Sequence, residues 1–173
     1  MARVRVFVDT NVILEAFRTG CWTAIADHYA VETVERCLEE TLTGDPADPR
    51  RIHVQASALN GGLAACHTVA RRDIAMLIAD HPRCLTLDAG EQHLCAYLYA
   101  HRLLPSTAIV VATADKAALL ATHRLGWLDC AISLEELART AGVARQPLES
   151  LRQQHRAVWL DQIKTRIRLG VMP

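Results

Sequence analysis

Five consecutive residues, Ala108-Ile109-Val110-Val111-Ala112, constrain the fold more than any other stretch of the chain. The run is apolar throughout and rich in β-branched side chains. A strand with one wet face alternates polar and apolar residues, whereas a strand covered on both faces does not need to. The run therefore predicts an interior strand of a parallel sheet. The chain opens with a second candidate, Val4-Arg5-Val6-Phe7-Val8, which stops at Asp9. Helical patterns separate these runs. Strands alternating with helices imply an α/β fold with a parallel sheet and right-handed crossovers.

Between the two strands, the pattern predicts a helix over Asn11–Phe17 with Asn11 as its cap, and a short helix over Trp22–His28. Tyr29-Ala30-Val31 is a candidate second strand, and Thr33 is placed to cap a helix over Val34–Leu42. Gly44 to Pro49 carries turn chemistry. A long helix is expected over Leu63–Ala79, with Val69, Met76 and Leu77 among its apolar positions and Pro82 beyond its end. Asp88 starts another helix with Leu94, Cys95 and Leu98 toward the core. Asp115 opens a helix that Gly126 closes, and Ala131-Ile132 is a candidate edge strand. The remainder is helical, with breaks expected near Gly142 and Pro147.

At 173 residues the chain is long enough for one domain with a sizeable core and short for two. The expected division is a domain over 1–134, with 135–173 as extra helices packed on it. A formal net charge of zero does not indicate a strongly basic binder of duplex nucleic acid. The basic residues are unevenly placed: Arg145, Arg152, Arg156, Lys164, Arg166 and Arg168 face only Glu149 and Asp161 in the same stretch. That segment suits a phosphate-binding surface or a plain solvated helix. The six cysteines form no CxxC pair and sit mostly among apolar neighbours. With no secretory h-region and no membrane-length apolar run, a reduced, cytoplasmic protein without disulfides is expected.

Ligands of open parallel sheets bind at the carboxyl ends of the strands. Asp9 and Asp115 both fall there. Two unpaired carboxylates at one sheet edge repel unless a proton or cation lies between them. Oxygen donors favour a hard ion such as Mg²⁺ or Mn²⁺. Each aspartate is equally well placed to cap the helix that follows it.

Val6-Phe7-Val8-Asp9-Thr10-Asn11-Val12-Ile13-Leu14, Leu87-Asp88-Ala89-Gly90-Glu91 and Thr113-Ala114-Asp115-Lys116-Ala117-Ala118-Leu119 together resemble, in order and spacing, the three motifs of the PIN-domain nucleases, which include the VapC-like ribonucleases. The resemblance covers roughly residues 3 to 133. It implies a three-layer α/β/α sandwich around a central, mostly parallel sheet. It also implies three or four clustered acids holding one or two Mg²⁺ or Mn²⁺ ions, with Asp9, Glu91 and Asp115 among the ligands and catalytic groups. The remaining acid belongs on the helix after the second strand, where Glu35, Glu39 and Glu40 are all available. Glu40 is favoured because the family acid usually follows an apolar pair, here Cys37-Leu38, by two residues. Asn11, Asp88 and Thr113 would orient the ligands from behind. Asp88-x-x-Glu91 also reads as a capping box, with Glu91 reaching back to the Asp88 backbone.

The activity so implied is metal-dependent endoribonuclease cleavage of single-stranded or structured RNA. One branch of the family consists of toxins neutralised by a small antitoxin, so an antitoxin partner and a homodimer are further expectations. No histidine pairs with a nucleophile; His93 and His123 read as solvated helical residues. Trp22, Trp127 and Trp159 read as core or interface residues. Leu148, Leu151, Val158, Trp159, Ile163 and Ile167 form a helical apolar stripe that would pack on the domain's own core. Two competing readings remain. One is a PIN-like module that binds RNA or protein without cleaving. The other is a haloacid dehalogenase-type phosphatase, disfavoured because Asn11 stands where those enzymes carry a second aspartate.

Overall fold

A computed structural model describes residues 3–43 and 52–171. Five strands form one all-parallel sheet in the order β3-β2-β1-β4-β5. They are β1 (Arg5–Val8), β2 (Ala30–Val34), β3 (Ala65–His67), β4 (Ile109–Ala112) and β5 (Ala131–Ile132). The intervening helices are α1 (Thr10–Arg18), α2 (Trp22–His28), α3 (Glu35–Leu42), α4 (Ala56–Gly62), α5 (Arg71–Asp80), α6 (Ala89–Ala100) and α7 (Lys116–Arg124). After β5 follow α8 (Leu134–Thr140), α9 (Arg145–Glu149) and α10 (Ala157–Arg168). The architecture is the expected α/β/α sandwich. No helix among the described residues is long and apolar enough to cross a membrane.

Period-two alternation along β1 divides the core. Val6 and Val8 pack with Val12, Ile25 and Leu134 on one face. Phe7 packs with Leu94, Leu119 and Ile163 on the other. α10 therefore contributes directly to the central core, with Leu160, Ile163 and Ile167 all buried. Residues beyond 134 are not a peripheral appendage. Val158, expected on the packing stripe, is instead 66% exposed, while Leu151 is buried and Trp159 half-buried. Trp22 and Trp127 are buried, as core residues should be.

The single long helix expected over 63–79 is two elements, the strand β3 and the helix α5, and a separate helix, α4, precedes them. α4 ends at Gly62, where an added Cβ would lie 2.6 Å from Trp22 Nε1. The following Ala65-Cys66-His67 then pairs with Glu32-Thr33-Val34 of β2. The apolar spacing across 63–79 mixed a strand and a helix; Leu77 is buried, but Met76 faces solvent. Thr33 does not cap α3. It lies inside β2, which runs to Val34, and its Oγ1 donates to the Val8 carbonyl at 2.8 Å. α1 is capped by Asp9, not Asn11. Pro147 breaks no helix, because it sits in the first turn of α9 where no intrahelical donor is required. The turn expected at 44–49 lies outside the described residues. All six cysteines are free, and only Cys66 is exposed.

Candidate carboxylate active site

The register of β1 against β4 pairs Val8 with Ala112, so Asp9 and Thr113 leave adjacent strands side by side. This is the central pair of the sheet, where the strand order reverses and ligands of such folds bind. Asp9 caps α1 through Oδ1, which accepts from the Val12 N–H at 2.8 Å. The residue is 2% exposed, and its Oδ2 is buried without a hydrogen-bond partner. Burial raises its pKa to about 6, and the charge of Asp115 adds to the rise; the Thr113 hydroxyl and the N–H groups of Val12 and Asn11 oppose it.

Asp115 caps α7, with Oδ1 accepting from Ala117 N at 2.6 Å and Ala118 N at 3.0 Å. Thr113 is buried behind it and accepts from the Asp115 N–H at 3.2 Å, which fixes the turn out of β4. Glu91 enters from the first turn of α6 and is buried. Asp9 and Glu91 line the same narrow cleft, walled by Leu94, Cys95 and Trp127. Burial, then the charges of Asp115, Asp9 and Asp88, push Glu91 up to about 8. The Cys37 thiol beside this cluster is pushed up to about 12 by burial, then by the Asp9 charge.

The three helix glutamates separate in space. Glu35 is exposed and accepts from Thr68 Oγ1 at 2.7 Å. Glu39 points to solvent and pairs with Arg36 at 3.4 Å. Glu40 alone turns toward the cluster. Its Oε2 accepts from Thr10 Oγ1 at 2.8 Å, and its Oε1 from Gly90 N at 3.1 Å and Arg36 Nε at 3.2 Å. Asp88 is exposed and makes no side-chain cap bond, so only one half of the capping box is present: Glu91 reaches back to the Asp88 backbone, which opposes the rise that the Asp88 charge promotes. Asn11 is exposed, and its backbone N–H is the part that bears on Asp9. His93 lies on the rim, in a groove shared with Arg36 and Glu39, and His123 is exposed elsewhere.

Other buried acids show what is unusual here. Glu15 is paired with Arg18 at 2.6 Å, and Glu32 with Arg5 at 2.5 Å and His67 at 2.6 Å. Both carboxyls are held below the ordinary glutamate value despite the opposing effect of burial. Asp9 and Glu91 have no such cation among the described residues, and both shift upward. Thr10 and Gly90 are the site residues that sequence reasoning overlooked. Both stand inside the motifs around Asp9 and Glu91, but nothing in a motif shows which distant side chain they meet.

The donor set suits a hard divalent ion: the cleft is lined by the carboxylates Asp9 and Glu91 and the hydroxyl residues Thr113 and Thr122, all oxygen donors, and Asp9 Oδ2 is buried without a hydrogen-bond partner. As the side chains are placed, no three His, Cys, Asp or Glu among the described residues converge on one ion. No family model matches the chain, and no curated protein matches it.

Proposed function

We propose that the chain is a PIN-like, Mg²⁺- or Mn²⁺-dependent ribonuclease. The observation that carries this reading is a pair of buried acids, Asp9 and Glu91, left without a counter-cation at the central carboxyl edge of the sheet, while every comparably buried glutamate has one. Uncompensated buried carboxylates are costly unless protons or cations occupy the site. Asp9, Glu91 and Asp115 are the residues that would hold the ion. When bound, it supplies an acidified water and charge neutralisation for phosphodiester hydrolysis.

The chain's own residues set the stage for that chemistry. The two helix caps fix Asp9 and Asp115 at the ends of neighbouring strands. Leu94 and Trp127 give the cleft apolar walls, so charges there act on one another with little screening. At neutral pH Glu91 carries a proton that an incoming cation must displace. RNA is the substrate class that the motif resemblance favours, in a cytoplasmic setting; an antitoxin partner or a homodimer rests on that resemblance alone.

The test is cleavage of single-stranded RNA in Mn²⁺ by wild type and Asp9→Asn. Asparagine is as good a helix cap as aspartate, so the fold should survive the change. Loss of cleavage in the variant supports the reading, and equal activity overturns it. A second reading is a module that binds RNA or protein without cleaving. The absence of three converged ligands among the described residues favours it. Metal-independent RNA binding without cleavage would establish it, and preference for small phosphomonoesters would point to a phosphatase.

A further inference from the structure

Glu40 sits between the two elements that carry Asp9 and Glu91, and both of its oxygens are already engaged. Thr10, which donates to Oε2, directly follows Asp9; Gly90, whose N–H donates to Oε1, directly precedes Glu91. A carboxylate on α3 thus bridges the first turns of α1 and α6, one residue from each buried acid.

The absence of a side chain at Gly90 is what lets this bridge close. A Cβ at that position would lie 2.5 Å from Glu40 Oε2 and 3.1 Å from Cys37 Sγ. Glycine weakens a helix, so its presence in the first turn of α6 calls for a steric reason. The close approach of the Glu40 carboxylate to the α6 backbone supplies one. Arg36 completes the arrangement, placing a guanidinium Nε 3.2 Å from Oε1 on the solvent side.

We propose that Glu40 is a positioning residue, whose carboxylate ties Thr10 to Gly90 and thereby sets the separation of Asp9 and Glu91. The proposal rests on the nuclease reading for its consequence and on the hydrogen bonds for its existence. It differs from a ligand role in what the bridge requires. A ligand needs the negative charge. A bridge needs one acceptor for Gly90 N–H and one partner for the Thr10 hydroxyl, which an amide also supplies: its oxygen accepts from Gly90, and its NH₂ donates to Thr10 Oγ1.

Glu40→Gln, Thr10→Val and Asp9→Asn distinguish the two roles. Mn²⁺ affinity is read from the EPR signal of free Mn²⁺. The ¹³C shifts of the Asp9 and Glu91 carboxyls and the exchange of Gly90 N–H are read at one fixed pH in metal-free protein. Glu40→Gln should keep Mn²⁺ affinity within about threefold of wild type, whereas Thr10→Val should lose roughly tenfold, the usual effect of removing a group that orients a ligand. Glu40→Gln should leave both carboxyl shifts and the Gly90 protection in place, and Thr10→Val should move the shifts. A loss in Glu40→Gln as deep as in Asp9→Asn, with Thr10→Val unaffected, overturns the proposal in favour of direct ligation. If wild type binds no Mn²⁺, the nuclease reading fails, and the metal-free shifts alone decide the bridge: unchanged carboxyl signals in Thr10→Val overturn it.

Discussion

Glu91→Gln isolates the energetic consequence of an uncompensated acid. The carboxyl of Glu91 is raised from an ordinary 4.5 to about 8 in the folded protein. A group raised in this way binds its proton more tightly when folded. Its stabilising contribution is complete below the unfolded value and is lost as pH rises through the folded one. At about 1.4 kcal/mol for each tenfold change in proton affinity, that span sets an upper bound of ~5 kcal/mol. Water entry and side-chain rotation relieve part of it, so the expected loss between pH 5 and 9 is about 2–3 kcal/mol. In a domain of this size that corresponds to a fall in Tm of roughly 5–10 °C. The assay is thermal unfolding across that range in EDTA. Wild type should lose stability steadily with rising pH, Glu91→Gln should be flatter and more stable at pH 9, and Mn²⁺ should restore much of the wild-type loss. Superimposable profiles for the two proteins in EDTA would refute the raised proton affinity assigned to this buried carboxyl.

Mn²⁺ affinity, measured by titration calorimetry, should rise from pH 6 to pH 8 with release of protons, because Asp9 near 6 and Glu91 near 8 must both ionise to ligate. Ile163→Ala should lower stability by about 2–4 kcal/mol in denaturant unfolding, since the side chain is 3% exposed within the central core. Glu15→Ala should cost about 2–3 kcal/mol, because it removes a buried carboxylate that pairs with Arg18 and leaves without its acceptor the Arg152 N–H, which donates to Glu15 Oε1 at 2.7 Å. The Glu15 carboxyl is held below its ordinary value, so its contribution is present above that value and is lost as pH falls through the folded one. The gap between Glu15→Ala and wild type should therefore close in acid.

The interior of the sheet was readable from the chain because β4 has no polar alternation, which marks a strand covered on both faces; its neighbours, β1 and β5, came only from the structure. The positions of Asp9 and Asp115 followed from the same logic, as ends of strands that proved adjacent. What failed had short range and mixed period. The segment 63–79 contains three strand residues at an edge, and a pairing that brief leaves no periodic trace against the helix that follows. Thr33 and Asn11 were natural caps by residue type, but the strand continued one residue too far for Thr33, and Asp9 came first in α1. Glu40 was separable from Glu35 and Glu39 only by resemblance in the sequence; in space, the direction of α3 decides which of them meets α6. The burial of Glu32 and its pairing with Arg5 and His67 could not be read from local pattern, because its partners lie 27 and 35 positions away.

The packing of α10 beneath β1 and β4 carries a consequence for how the acids acquire their character. Until synthesis has passed Ile167, the hydrophobic cluster that includes Val111, Trp127 and Leu98 lacks part of its lining. An incomplete chain already contains Asp9, Glu91 and Asp115, yet hydrated carboxylates titrate like those of any peptide and tolerate one another across water. A version halted before that helix would keep every proposed ligand and lose the packing behind Leu98, Val111 and Trp127, which wall their cleft.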